Sequence, residues 1–145
     1  VNFYANKRLN MIFELINATN PMPNEINRGI KRLLKNLENF TPDNPQPSLI
    51  HGDLWEGNIL LHNGKLVGLI DSGIYYAHHE MEIAYLEWFK YISRDFYQYY
   101  SEYNQLDKDF VNYSEVYQLY YCLLYVHLGS RDYIQNTAEL VRKFN

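Results

Sequence analysis

Residues 51–71 read HGDLWEGNILLHNGKLVGLID, and this stretch decides the fold. Two apolar runs, residues 59–61 and 66–70, flank the dipeptide Asn63 and Gly64. Asn-Gly between two such runs is the strongest short-range signal for a β-hairpin, because a two-residue turn of this kind needs positive φ at both positions. The stretch therefore predicts a hairpin that directly follows a polar loop.

Helical patterns precede the hairpin. Apolar residues recur at helical spacing over residues 9–16 and again over residues 26–37, and Asn24 is the expected N-cap of the second helix. Residues 41–48 contain three prolines, which cannot continue a helix and predict an extended connector.

Helical patterns also follow the hairpin. They predict helices over residues 81–92, over residues 116–124 with an end near Gly129, and over residues 133–144. The predicted fold class is α+β and mainly helical, and residues 1–145 are expected to form a single domain.

Composition excludes several functions. The formal net charge is −4 and the basic residues form no run, so nucleic acid is not an expected partner. No apolar run is long enough to cross a bilayer, so no membrane partner is expected. The only cysteine, Cys122, lies in an apolar helical stretch, which predicts a buried thiol and a cytoplasmic location.

Three polar residues form the candidate catalytic set. Asp53 and Asn58 lie in the loop before the hairpin, and Asp71 ends its second strand. Phosphoryl transfer needs a carboxylate that accepts the proton of the attacking hydroxyl and oxygen ligands for Mg²⁺. The spacing Asp-x₄-Asn, followed by an acidic strand end, is that of the protein-kinase catalytic loop and its metal-binding Asp.

HGDLWEGN at 51–58 and GLIDSGIYYAHHEMEIAYLEWF at 68–89 resemble the fructosamine (ketosamine) kinase family. The resemblance implies the C-terminal lobe of a protein-kinase-like fold, with ATP as co-substrate and Mg²⁺ as cofactor. It implies transfer of the γ-phosphate to a sugar hydroxyl of a ketosamine, either a small molecule or a glycated protein.

The same resemblance assigns the site residues. Asp53 is the catalytic base, Asn58 and Asp71 hold Mg²⁺, and His51 braces the loop without taking part in the chemistry. Trp55 flanks the sugar-like substrate, although the indole is equally suited to anchor a core.

Two departures from the family pattern stand out. Ser72 follows Asp71 where the family usually has Pro, which frees the backbone there. Ala77 replaces a usual Gly, and this is a strain only if positive φ is required.

The sequence before residue 50 shows neither a Gly-rich loop nor a strand Lys, so the N-terminal nucleotide lobe is expected to be absent from this chain. Four alternatives stay open: a fragment of a longer kinase, one chain of a split kinase with a separate N-terminal lobe chain, a non-catalytic remnant, or a kinase of the aminoglycoside or choline type.

Two weaker signals are interpreted structurally. His78, His79 and Glu80, with Glu82 nearby, do not have the spacing of a helical metal site, since adjacent helical residues diverge in direction. The charges at residues 94–95 and 107–109 are expected to mark solvated turns.

Overall fold

The computed structural model describes residues 1–144, so the last residue of the predicted domain, Asn145, lies outside the described residues. Two compact units are distinguished: unit 1 contains Val1–Asn44 and the residues from Glu115 onward, and unit 2 is Pro45–Ser114. The single domain stays a prediction.

Unit 1 is helical. Its elements are α1 (Asn2–Tyr4), a π-helical segment (Ala5–Leu9), α2 (Asn10–Thr19), α3 (Asn24–Lys35), a 3₁₀ turn (Leu37–Asn39) and α7 (Tyr133–Lys143). Helices α3 and α7 pack together. The apolar stripes predicted for the first two helices are buried, as expected for amphipathic helices: Leu9, Ile12, Phe13, Ile16, Ile26, Ile30, Leu33 and Leu37.

The predicted cap of α3 was wrong. Asn24 is the first residue of the helix, and Pro23 with extended backbone occupies the N-cap position without a side-chain hydrogen bond. Pro23 has a φ of −51° and a ψ of 143°, so its backbone is extended and the helix begins at the next residue without a side-chain cap.

Unit 2 contains two antiparallel strand pairs. Strand β1 (Pro47–Ile50) pairs with β4 (Tyr75–His78), and β2 (Ile59–His62) pairs with β3 (Lys65–Leu69). A 3₁₀ turn (Glu56–Asn58) leads into β2, and α4 (Glu80–Trp88) and α5 (Arg94–Ser101) follow β4. Helix α6 (Phe110–His127) begins in this unit and continues beyond residue 114.

The predicted hairpin is confirmed. Asn63 and Gly64 have φ of 50° and 72°, as a tight turn of this type requires. The register is Leu61 opposite Leu66 and Leu60 opposite Gly68, so a bulge lies between these pairs. The fold class, mainly helical with small strand pairs, is also confirmed.

Other boundaries differ from the predictions. The connector ends before Pro47, because residues 47–50 pair with β4 instead of continuing as loop. Helix α4 ends at Trp88, and Lys90 has a φ of 57°, which cannot continue a helix. Arg94 and Asp95 begin α5 instead of marking a turn.

The helices after residue 110 follow their predictions more closely. Helix α6 begins at Phe110, before the predicted start at residue 116, but it ends where predicted: it reaches His127, and Gly129 with a φ of 101° ends it. Cys122 is fully buried in α6, as predicted. Among the described residues no helix is both long enough and apolar enough to cross a membrane.

Candidate active site

Asn58 is the centre of the candidate site. Its side chain is 3% exposed, and its Nδ2 donates to the backbone oxygen of Asp53 at 2.8 Å and to the Asp53 carboxylate at 3.3 Å. The same nitrogen lies 3.5 Å from the backbone oxygen of Asp71. One amide therefore connects the loop before the hairpin with the end of its second strand.

The orientation of this amide follows from chemistry. Three oxygen acceptors surround Nδ2, and only a donor nitrogen is compatible with that position. The other amide atom, Oδ1, makes no hydrogen bond within the part of the chain that the structure describes. An amide oxygen held in this way is available as a ligand for a hard cation.

The Asp71 backbone has an uncommon conformation. Its φ is 51°, in the left-handed region that Asp and Asn tolerate better than other non-glycine residues. The preceding residue is fixed on both sides, because Ile70 N–H donates to the Asn58 backbone oxygen at 3.1 Å and the Ile70 oxygen lies 3.0 Å from His51 Nε2. The Asp71 side chain is exposed at this held position.

His51 connects the two ends of the site. A carbonyl oxygen only accepts, so Nε2 must carry the proton that is donated to Ile70. Nδ1 accepts the Asp53 backbone N–H at 3.4 Å, and an accepting nitrogen carries no proton. Both ring nitrogens of the neutral tautomer are used by the backbone, which is the geometry of a residue that supports the loop.

Trp55 is 44% exposed, so the indole is not enclosed in a core. Its ring lies over Gly57, where an added Cβ would be 2.3 Å from two ring atoms. The missing side chain at Gly57 allows the indole to lie against the loop backbone, and part of the ring remains accessible to a ligand.

Glu82 is a residue of this site to which the sequence analysis gave no role there. It lies in the first turn of α4, and its carboxylate accepts the backbone N–H of Gly52 at 2.8 Å and that of His51 at 3.2 Å. Its partners are backbone groups about 30 residues earlier, for which no side-chain motif exists. Its place in the first turn of the helix after β4 is the only sequence signal.

The two departures from the family pattern lie at unstrained positions. Ala77 is a strand residue of β4 opposite Ser48, and it has no positive φ. Ser72 directly follows Asp71, which has a positive φ. A proline at position 72 would disfavour that φ, and Ser72 does not.

His78, His79 and Glu80 form a second cluster. These residues do not diverge as adjacent helical residues would, which corrects the prediction: His78 ends β4, Glu80 begins α4, and the ligand atoms of the three residues lie within 4.8 Å of one another. The Glu80 carboxylate is 1% exposed and accepts the Asp107 N–H and the Tyr113 hydroxyl. This buried carboxylate therefore has protein donors of its own.

Burial governs the titration of both histidines. Desolvation lowers the pKa of His78 below 6.5, although Glu80 and Asp107 act in the opposite direction and His79 adds to the lowering. Desolvation likewise lowers the pKa of His79, whose Nδ1 lies 2.8 Å from the Tyr100 hydroxyl.

The family model described as fructosamine kinase matches residues 1–145. The chain belongs to the fructosamine kinase family. It is 30% identical to a Vibrio cholerae protein named "Probable ketoamine kinase", over 97% of this chain and 48% of that protein. It is also 30% identical to a chloroplastic protein-ribulosamine 3-kinase of Oryza sativa subsp. japonica, over 97% of this chain and 41% of the relative.

A solved structure agrees with this assignment. The crystal structure of a candidate fructosamine-3-kinase from Thermobifida fusca superimposes with a TM-score of 0.85 at 26% identity, over 99% of this chain and 50% of that one. The chain thus spans about half the length of the fructosamine kinase relatives that it matches.

Proposed function

We propose that this chain carries the catalytic and metal-binding half of an ATP-dependent kinase that phosphorylates a sugar hydroxyl of a ketosamine. The observation that carries the proposal is the Asn58 amide, which hydrogen-bonds to Asp53 and approaches the backbone of Asp71. This amide ties the loop that carries the Asp53 carboxylate to the backbone of Asp71, and phosphoryl transfer needs a base and a metal-binding carboxylate in one site. Family membership supports the same reaction class.

Asp53 is the proposed base. Its carboxylate is exposed, and its backbone oxygen and N–H are held by Asn58 and His51. In the transfer, the sugar oxygen bonds to the γ-phosphorus, the bond from that phosphorus to the ADP oxygen breaks, and Asp53 accepts the hydroxyl proton. Restricting the loop backbone limits where that carboxylate can reach, and positioning supplies much of the rate in such reactions.

Asn58 and Asp71 are the proposed Mg²⁺ ligands. The donor set fits, since an amide oxygen that none of residues 1–144 hydrogen-bonds and an exposed carboxylate are the hard oxygen ligands that Mg²⁺ prefers. When bound, Mg²⁺ neutralises charge on the phosphates. Neutralisation is needed here, because unit 2 has a net charge of −6 that repels ATP. This charge comes from ten Asp and Glu residues against four Lys and Arg residues.

The proposed acceptor is a ketosamine, as a small molecule or on a glycated protein. Support comes from the relatives, which are named for ketoamine and protein-bound ribulosamine. Trp55 offers an accessible apolar face against which a sugar ring can stack. Phosphorylation of choline or an aminoglycoside, but of no ketosamine, in a substrate screen would contradict this assignment.

The nucleotide also needs covering elements that residues 1–50 do not contain, and a separate lobe chain is one proposed source of them. We place the protein in a reducing compartment, the cytoplasm. The support is Cys122, a buried free thiol whose pKa burial raises to about 12.

The test is calorimetric titration of the purified protein with ATP, with and without Mg²⁺. Asp71→Asn removes the charge but keeps a residue that tolerates a φ of 51°, so the backbone is retained. We expect Mg²⁺-dependent binding that Asp71→Asn weakens at least roughly 10-fold, by the loss of a charged ligand. The matched control, Asp43→Asn, changes an exposed carboxylate of unit 1 and should bind normally.

Two outcomes would contradict the proposal. Equal binding by Asp71→Asn and the parent protein would exclude Asp71 as a metal ligand. A protein that binds no nucleotide, and stays inactive when a nucleotide lobe from a relative is added, would be a non-catalytic remnant.

A further inference from the structure

The backbone just before Asp53 is held by a carboxylate. Glu82 Oε1 accepts the Gly52 N–H at 2.8 Å, and Glu82 Oε2 accepts the His51 N–H at 3.2 Å. These are successive amides of the chain, and both point at one side chain. Two adjacent N–H groups that converge in this way form a small anion-binding concavity, which the carboxylate fills.

Within the described residues 1–144, the two amides have no sheet partner to replace Glu82. Strand β1 ends at Ile50, so the ladder with β4 stops one residue before His51. Hydrogen bonds from backbone N–H groups to a carboxylate are roughly twice as strong as neutral ones. Loss of this side chain would leave two partly buried donors to find water or to move.

The loop is also restricted on its other side. Gly52 has a φ of 81°, and an added Cβ would lie 2.6 Å from the Gly73 oxygen and 2.8 Å from a Tyr75 ring carbon. The backbone of residues 51–53 is therefore held between the segment after Asp71 and the Glu82 carboxylate. A shift away from Glu82 would change the position of Asp53 directly.

We propose that Glu82 is a positioning residue for Asp53: it fixes the loop backbone so that the base meets the acceptor hydroxyl. The proposal rests on the function proposed above. Both Glu82 oxygens are occupied by backbone donors, so Glu82 acts through the loop and not on the reacting atoms. Its effect should appear in turnover more than in the binding of either substrate.

The experiment compares Glu82→Gln, Glu82→Asp and Glu87→Gln. The Gln amide has the same shape but places an NH₂ donor against one of the two backbone donors, whereas Asp keeps two acceptor oxygens on a shorter side chain. Glu87 is the matched control, since it lies on the same helix and accepts the Tyr97 hydroxyl at 3.1 Å, away from the loop.

In assays with a nucleotide lobe from a relative supplied, we expect kcat of Glu82→Gln to fall by roughly 10²-fold, the scale of a misplaced catalytic group, while KM values for ATP and ketosamine stay within about 2-fold. Glu82→Asp should recover part of kcat, and Glu87→Gln should resemble the parent. Amide hydrogen exchange gives a readout that does not depend on activity. The amide of Gly52 should exchange faster in Glu82→Gln than in the parent protein, and at the parent rate in Glu87→Gln.

Each contrary result has a separate meaning. Unchanged turnover or unchanged Gly52 exchange in Glu82→Gln would overturn the positioning role and leave the proposed function intact. A purified protein that phosphorylates no ketosamine, even with a nucleotide lobe supplied, would overturn the proposed function and this role together.

Discussion

At the residue level, Asn58 joins the parts of the candidate site. Its side-chain amide hydrogen-bonds to the loop that carries Asp53 and approaches the backbone of Asp71, and its backbone oxygen accepts the Ile70 N–H. The sequence predicted Asn58 as a metal ligand from Asp-x₄-Asn spacing. The burial of the side chain and the direction of its NH₂ group could not be predicted, because they depend on backbone oxygens and not on residue types.

Asn58→Asp tests this arrangement with an almost isosteric change. A carboxylate oxygen would replace the donor that now faces three oxygens, at a site that is 3% exposed. We expect the free energy of unfolding to fall by about 1–3 kcal/mol, the cost of a buried polar group without its partner. Chemical denaturation of the parent and the variant measures this change in the free energy of unfolding. Asn112→Asp, an exposed change in α6, should have little effect, and equal losses for the two variants would refute the role.

Gly57→Ala tests the exposed indole. The added Cβ would lie 2.3 Å from the Trp55 ring, so the ring must move. We expect KM for the ketosamine to rise roughly 5-fold, since aromatic contacts contribute about 1 kcal/mol, with ATP binding unchanged. Gly68→Ala is the control, because nothing closer than 3.9 Å meets its Cβ. An unchanged ketosamine KM in Gly57→Ala would argue against Trp55 as a substrate contact.

At the level of elements, the sequence predicted the structure that neighbouring residues determine and missed the pairings between distant residues. The hairpin of β2 and β3 was predicted because Asn-Gly specifies its turn within two residues. The pairing of β1 with β4 was missed, since the two strands are 24 residues apart and β1 begins with a proline. Glu82 was missed as part of the site for the same reason: its partners are backbone amides distant in sequence.

Gly64→Ala probes the turn that sets this hairpin. Its φ is 72°, and a side chain in left-handed backbone costs roughly 1–2 kcal/mol. Thermal and urea unfolding should show a loss of about that size. Asn63→Gly is the matched control, because glycine adopts the φ of 50° at that position freely. A Gly64→Ala protein as stable as the parent would contradict the turn type.

The junction of β4 and α4 should make stability depend on pH. Burial lowers the pKa of His78 and of His79, so the unfolded chain binds more protons than the folded chain below about 6.5. The contribution of the two histidines to the free energy of unfolding is fully present above pH 6.5. It is lost as the pH falls towards their pKa values in the folded state. Urea unfolding at pH 7.5 and 5.5 should show this loss, and His79→Gln should reduce it. His127→Gln, at an exposed position, should leave it unchanged.

At the level of the whole molecule, the two units differ in charge and in surface. Unit 1 has a net charge of +2 and unit 2 a net charge of −6. Unit 2 also exposes many large apolar side chains on its strands and loops: Leu49, Leu60, Leu61, Leu66, Val67, Leu69, Ile70, Ile74 and Tyr76. We expect these side chains to contribute to an interaction surface, and they surround the residues of the candidate site in sequence.

The last prediction concerns this apolar surface. Leu61 and Leu66 are directly opposed on the hairpin and are 65% and 60% exposed, so they support no core. Replacing them together, Leu61→Lys with Leu66→Glu, removes apolar surface and adds a favourable cross-strand charge pair. We expect sedimentation velocity to show self-association of the parent protein and less of it in this variant, whose free energy of unfolding should stay within about 0.5 kcal/mol of the parent. Leu128→Lys changes a residue that is 68% exposed at the end of α6 and should leave self-association as it was. If the hairpin variant unfolds more easily but associates as before, these side chains support the fold of unit 2 and the interaction surface lies elsewhere.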